Sequence, residues 1–217
     1  MSALTLDRPW LEFDLGAPMQ VLSWAPNRAG LVTARHILWR EVRNADLPPE
    51  LDVTEWFSAE LATRGASQAV AFLTSRDVTR HHDCTVQVGD VTARAVATVG
   101  LSNAERIGHR VDRSGHDWGT INIAVRLGTG LTHAAMLEAI SIAAQARTTA
   151  VIEAGHHLPT GVATGTGTDC IAVAAPAGAV IHAGLHTQIG EAVGRAAYMA
   201  VSAGTSEWMA TEKRSMK

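Results

Sequence analysis

Polar side chains that could bind or react with a ligand are concentrated in three short segments of the sequence. In the first, residues 99–104, Ser102 and Asn103 come after a long β-rich run. The point where a strand gives way to a loop is a common place for functional side chains. A simple turn, in which Asn103 caps the next segment, explains the same residues and stays open as the alternative.

The second segment, residues 119–123, places an asparagine inside a predicted strand. Because side chains alternate along a strand, Thr120 and Asn122 point to one face and Ile121 and Ile123 to the other. Asparagine is disfavoured in strands, and its amide both donates and accepts hydrogen bonds. We therefore expect Thr120 and Asn122 to hold a substrate amide, unless the strand simply has one hydrated face.

The third segment alternates threonine and glycine before an acidic residue: Thr164, Gly165, Thr166, Gly167, Thr168 and Asp169. The glycines allow a close backbone approach, and backbone N–H groups exposed there could stabilise an oxyanion. The segment is not a phosphate-binding loop, because it lacks the lysine and a strand comes after it. A glycine-rich bulge would explain the glycines but not Asp169, since a carboxylate entering an apolar core needs a partner or a function.

The ten histidines do not form a recognisable metal motif. Neither HExxH nor CxxC occurs, and adjacent histidines in a strand would point apart, so the sequence predicts no metal site. His186 precedes the last predicted helix. Because imidazole exchanges protons near neutral pH, His186 is a candidate proton-transfer group, with an exposed histidine of no function as the alternative.

Composition and charge favour one globular domain over residues 1–217. Hydrophobic residues make up 47% of the 217 and charged residues 18%, which is ordinary for a chain with a sizeable core. The net charge is -3, and the local basic cluster at residues 213–217 is typical of a solvated end, so we expect no nucleic-acid partner. No apolar run of about 18 residues and no leader pattern occur, which favours a cytoplasmic protein without a membrane partner.

The pattern of apolar residues and turn signals predicts a mixed set of helices and strands. Predicted strands cover residues 10–15, 19–24, 69–74, 84–88, 91–101, 120–125 and 171–175, and predicted helices cover 31–42, 52–66, 132–154 and 187–202. Because the strands do not alternate regularly with helices, the fold class is α+β, a layered α/β arrangement in a single domain. Its sheet is expected to be mixed or largely antiparallel and packed with helices.

Five stretches in register make the chain resemble a known family. They are LSWAPNRAG from Leu22, VGLSNAERIG from Val99, GTINIAV from Gly119, ATGTGTD from Ala163 and AGLHTQIGEAVG from Ala183. In these stretches, and over nearly its whole length, the chain is similar to the adenosylcobinamide amidohydrolases. The resemblance implies a soluble enzyme of cobalamin salvage whose corrinoid substrate, adenosylcobinamide, is cut to adenosylcobyric acid and 1-amino-2-propanol. It implies no separate cofactor.

The resemblance brings no assigned catalytic residues, so the roles of the polar residues are hypotheses drawn from the sequence. Asp169 and His186 are the predicted proton-transfer pair. The predicted substrate-binding residues are Ser102, Asn103, Thr120, Asn122, Thr164, Gly165, Thr166, Gly167 and Thr168. The backbone of residues 165–168 would supply an oxyanion hole for attack by water, with one of the three threonines as the alternative nucleophile.

Two other classes of function are compatible with the same residues. One is a corrinoid-binding protein without catalysis, and the other is a metal-dependent amidase that acts on a different small amide. The sequence leaves the oligomeric state open, a homo-oligomer included.

Overall fold

The computed structural model describes residues 2–112 and 118–211. The basic cluster at residues 213–217 lies outside these residues. The strands are β1 (Ala3–Asp7), β2 (Trp10–Ser23), β3 (Gly30–Glu41), β4 (Val70–Thr74), β5 (His81–Val88), β6 (Val91–Val99), β7 (Ala104–Glu105), β8 (Ile121–Leu127), β9 (His157–Leu158), β10 (Gly161–Val162), β11 (Gly165–Thr166) and β12 (Cys170–Ala175). The α-helices are α1 (Val53–Thr63), α2 (His133–Glu153) and α3 (Gln188–Thr211).

One eight-stranded mixed sheet organises the described chain. Its strand order is β4-β3-β2-β12-β8-β6-β5, and β1 pairs with the first part of β2. The β3–β4 and β12–β8 pairs are parallel and the other pairs are antiparallel. The predicted α+β class with a mixed sheet is therefore confirmed.

Helices α2 and α3 cover one face of β6, β8 and β12. Their buried residues are mostly small, with alanines along α2 at positions 135, 139, 143, 146 and 150. Small side chains let the two helices pack closely on each other and on the sheet. The opposite face of the sheet curls around a second core that contains Phe13, Trp39 and Phe72, and α1 packs outside through Phe57 and Leu61.

The prediction of a helix over residues 31–42 is wrong, because this segment is strand β3. The apolar residues do recur at helical spacing, but Ile37, Leu38 and Trp39 are consecutive and all fully buried. Both faces of β3 are covered here, so the strand has a continuous apolar run and the period-2 signal disappears. The enrichment in β-branched and aromatic residues is the better indicator.

The two strands predicted on either side of Gly16 and Pro18 form one long strand, β2. Its pairing with β3 shifts register between Asp14 and Met19, which marks a β-bulge. Gly16 has a φ of 86° and donates its N–H to the Asp14 carboxylate over 2.8 Å. A bulge bends a strand without ending it, so turn residues inside an apolar run do not mean a chain reversal here.

Local signals elsewhere predict the correct elements. Asp52 caps α1 by accepting two backbone N–H groups of the first turn, and Thr132 caps α2 by accepting one. Gly89 has positive φ in the hairpin turn between β5 and β6. Among the helices of the described residues, none is both long and apolar enough to cross a membrane.

Candidate active site

Three adjoining cavities meet around Trp118, at the edge of the sheet where β8 and β12 begin and β6 ends. The sheet curls so far that the Asn122 side chain on β8 donates a hydrogen bond to the Leu73 carbonyl on β4, over 2.7 Å. The cavities have volumes of about 210, 450 and 280 Å³, and Trp118 lines all three. We call this composite surface the Trp118 groove.

The three parts of the groove differ in chemistry. The first is an apolar slot lined by Pro26, Leu73 and Cys170. The second is polar and is lined by Arg43, Arg76, Arg80, Asp77 and Ser102, among others. The third contains Asn103, Glu105, His109, Arg110, Gly167 and Thr168. Trp118 is 52% exposed, so its ring offers a wide apolar surface between these parts.

Asp169 is held by four donors behind the groove. One carboxylate oxygen accepts the Ile121 N–H over 2.9 Å and the Thr166 hydroxyl, and the other accepts the Thr166 N–H over 2.9 Å and the Arg147 guanidinium. The Asp169 side chain is 5% exposed and is absent from the groove lining. Its four donors and its ion pair with Arg147 define a structural link between α2, β8 and residues 165–169.

Gly165 makes the contact between Arg147 and Asp169 sterically feasible. A Cβ at this position would lie less than 3.0 Å from both the guanidinium and the carboxylate. Burial lowers the pKa of Arg147, because a charged group loses solvation there. The pattern of glycine before an acid therefore serves a buried ion pair, which the sequence does not reveal.

The three threonines of residues 164–168 face different environments. The Thr164 hydroxyl accepts the Ile107 N–H over 2.8 Å, and the Thr166 hydroxyl is bonded to Asp169. Both therefore hold the loop together. Thr168 lines the groove, where its hydroxyl donates to the Gly119 carbonyl over 2.8 Å. Of the backbone expected to form an oxyanion hole, residues 167–168 reach the groove.

Thr120 and Asn122 also have different positions. Thr120 lines the apolar slot, and its hydroxyl lies 2.9 Å from the Thr168 carbonyl and 3.1 Å from the Asn122 side-chain oxygen. Asn122 is fully buried. With its amide used to join β8 to β4, Asn122 supports the wall of the groove rather than facing a ligand.

Asn103 is the polar side chain best placed to bind a substrate amide. It is 3% exposed and lines the third cavity. The Thr168 hydroxyl has a single proton, which it donates to Gly119, so it must accept the hydrogen bond from the Asn103 amide nitrogen, 3.4 Å away. This fixes the amide orientation and leaves the Asn103 side-chain oxygen with no partner within residues 2–112 and 118–211.

The structure does not bring His186 to Asp169. Asp169 directly precedes β12, whereas His186 comes after that strand's far end, roughly 20 Å away if the six residues of β12 rise about 3.3 Å each. Gln188, two residues further on, lies against the Gly89 turn between β5 and β6. His186 is exposed there. The hypothesis of an Asp169–His186 proton-transfer pair is therefore corrected: within one chain the two groups cannot exchange a proton.

Several residues of the groove are absent from the site predicted by the sequence. Among them are Trp118, Glu105 and His109. The sequence signal for Glu105 is only its nearness to Asn103, two residues earlier, because Asn103 lies in a turn and no strand alternation links the two side chains. Among the described residues, no group of three or more histidine, cysteine, aspartate or glutamate side chains is arranged to hold a metal ion.

The polar edge of the groove is organised around Glu207 on α3. Its carboxylate lies 2.9 Å from Arg80, 3.1 Å from His82 and 3.5 Å from Arg76. Burial acts to raise the pKa of Glu207, but the hydrogen bond with His82 and the nearby arginine charges outweigh it and lower the pKa. Glu207 thus stays ionised and fixes the arginines beside the cavity.

Comparison with known proteins identifies the family. A family model described as adenosylcobinamide amidohydrolase matches residues 3–213. The chain therefore belongs to the adenosylcobinamide amidohydrolase family, and membership implies an amidohydrolase with a corrinoid substrate. No curated protein matches the chain. Among solved structures, the PH0078 protein from Pyrococcus horikoshii OT3 is similar with a TM-score of 0.44 and 8% identity, covering 96% of this chain and 85% of that one.

Proposed function

We propose that this protein hydrolyses adenosylcobinamide to adenosylcobyric acid and 1-amino-2-propanol, and that the reaction takes place in the Trp118 groove. Family membership supports the substrate and the reaction. The observation that carries the location is Asn103, a residue that lines the cavity and whose buried side-chain oxygen has no partner in the described chain. A buried acceptor without a donor costs about 1–3 kcal/mol, so it calls for a ligand N–H or a water.

The groove suits a large substrate with a flat body and amide arms. The exposed ring of Trp118 and the apolar slot offer surface to the macrocycle. The third cavity would receive the scissile amide, whose N–H would donate to the Asn103 oxygen. The backbone of Gly167, which lines the same cavity, would then lie close to the carbonyl oxygen, where negative charge develops.

The test is to incubate the purified protein with adenosylcobinamide and to follow both products by mass spectrometry. Equal amounts of 1-amino-2-propanol and adenosylcobyric acid, formed over many turnovers, would support the proposal. Tight corrinoid binding without product would favour the alternative of a non-catalytic binding protein. Loss of activity after exhaustive chelation, restored by added metal, would instead favour a metal-dependent amidase.

A further inference from the structure

We propose that Glu105 is the general base of the hydrolysis, an inference that rests on the proposed function. Attack by water on an amide needs a group that takes a proton from the water at the reacting carbon. The carboxylate first expected to do this, Asp169, lies behind the wall of the groove, and His186 lies at the other end of β12. Glu105 lines the third cavity, together with Asn103 and Thr168.

The position of Glu105 in the chain places it on the side of the groove where Asn103 lies. Asn103 and Glu105 are alternate residues leading into the short strand β7, which pairs antiparallel with β11. Asn103 lies in the turn before β7, which is closed by the hydrogen bond from the Ala104 N–H to the Leu101 carbonyl, and both Asn103 and Glu105 line the third cavity. A substrate amide held by Asn103 would have its carbonyl carbon within reach of a water next to Glu105.

The backbone of Glu105 is fixed, which a catalytic group requires. Its carbonyl accepts the Thr164 N–H over 2.8 Å, and the β7–β11 pairing places Glu105 opposite Gly165. Gly165 is in turn fixed by the ion pair of Arg147 and Asp169. The threonine–glycine segment thus acts on the reaction indirectly, by holding the strand that carries Glu105.

Two other titratable side chains of the groove are less suited. Asp77 lines the polar cavity rather than the third one, and one of its oxygens accepts from both the N–H and the hydroxyl of Thr79. His109 shares the third cavity but is exposed, in a turn where it pairs with Arg106. A half-buried carboxylate on a paired strand is the more precisely positioned base.

The proposed step balances with water as the only co-reactant. Glu105 takes one proton from water as the water oxygen bonds to the amide carbon, and the carbonyl electrons move onto oxygen. The tetrahedral intermediate then collapses, the C–N bond breaks, and Glu105 returns the proton to the leaving nitrogen. The immediate products are a carboxylic acid on the corrinoid and the free amino alcohol, and the proton of the acid then passes to the amine, which leaves a carboxylate and an ammonium group.

The test compares Glu105→Gln and Glu105→Ala with the wild-type enzyme. Glu105→Gln keeps the size and the backbone hydrogen bond, so we expect unchanged thermal unfolding and corrinoid binding, with kcat lower by roughly 10²–10⁴-fold. Formate or acetate should restore part of the activity of Glu105→Ala, because a small carboxylate can occupy the vacated space. Glu191→Gln, an exposed change at the far end of α3, is the matched control.

The possible failures can be told apart. If the wild-type protein binds but does not hydrolyse adenosylcobinamide, the proposed function fails. If the wild-type hydrolyses it and Glu105→Gln keeps its kcat within threefold, Glu105 is not the base. If Glu105→Gln loses corrinoid binding or folding together with activity, and carboxylates rescue nothing, its role is structural and the inference is likewise overturned.

Discussion

Two polar segments stand side by side in this molecule and do opposite things with their side chains. In residues 164–169, Thr164, Thr166 and Asp169 are bonded to the protein itself. In residues 102–105, Ser102, Asn103 and Glu105 line the groove. The two segments pair with each other through β11 and β7, so one supports the other.

The difference shows that a distinctive sequence motif need not be the reactive one. The threonine–glycine segment is distinctive in the sequence, yet its chemistry is that of a buried ion pair and its hydrogen bonds. Buried carboxylates and guanidiniums tolerate little change, because losing either partner leaves an unpaired charge. The segment that faces a ligand is less conspicuous, because ordinary residues such as asparagine and glutamate are enough for it.

The largest effect should result from breaking the ion pair of the supporting segment. Arg147→Met keeps most of the volume but leaves Asp169 buried without its cation, so we expect a loss of about 3–5 kcal/mol in the free energy of unfolding. Urea denaturation measures it. The double variant Arg147→Met with Asp169→Asn should recover part of the loss, because a neutral amide oxygen can still accept the Ile121 N–H.

The opposite result would mean that residues 164–169 take part in the reaction instead of supporting it. If Arg147→Met stayed as stable as wild type while hydrolysis stopped, the ion pair would belong to the reaction rather than to its support. Arg195→Met, on the exposed surface of α3, provides the control and should change stability by no more than about 0.5 kcal/mol.

A pair of glycine substitutions sharpens the same comparison at a smaller scale. Gly165→Ala puts a methyl group against Arg147 and Asp169, and we expect it to cost about 1–3 kcal/mol of stability. In Gly167→Ala, two residues away, no described atom lies within 4 Å of the new Cβ, so stability should stay within about 0.5 kcal/mol of wild type. Thermal unfolding of the two variants, measured in parallel, tests this difference. Equal losses of stability would contradict it.

The ligand-facing segment is tested by Asn103→Ala against Asn122→Ala. Losing the Asn103 acceptor should lower kcat/KM roughly tenfold, the equivalent of one hydrogen bond of about 1.4 kcal/mol. The free energy of unfolding should fall less in Asn103→Ala than in Asn122→Ala, because Asn122→Ala removes the fully buried hydrogen bond to Leu73. Steady-state kinetics and urea unfolding on both variants separate the two roles. A selective loss of activity in Asn122→Ala would place that side chain against substrate instead.

Most elements can be predicted from the sequence because their signals are local. The caps at Asp52 and Thr132 and the turn at Gly89 depend on neighbouring residues only. Strand β3 is not predicted correctly, because its burial on both faces depends on tertiary packing. The site is predicted only in part for a similar reason: the chemistry of Asp169 depends on Arg147, 22 residues earlier on α2, and no local pattern reveals that contact.

Substitution of His186 should have the smallest effect on activity and stability, because His186 belongs to neither of the two segments compared. Because the side chain is exposed at the end of the sheet opposite the Trp118 groove, His186→Ala should change stability by less than about 0.5 kcal/mol and leave kcat/KM unchanged. The same assay used for Asn103→Ala measures this. A tenfold loss of kcat/KM with unchanged unfolding would show that His186 reaches a substrate after all. Since it cannot reach the groove of its own chain, that outcome would require a second copy, and the loss should then diminish as the protein is diluted below the dissociation constant of the dimer.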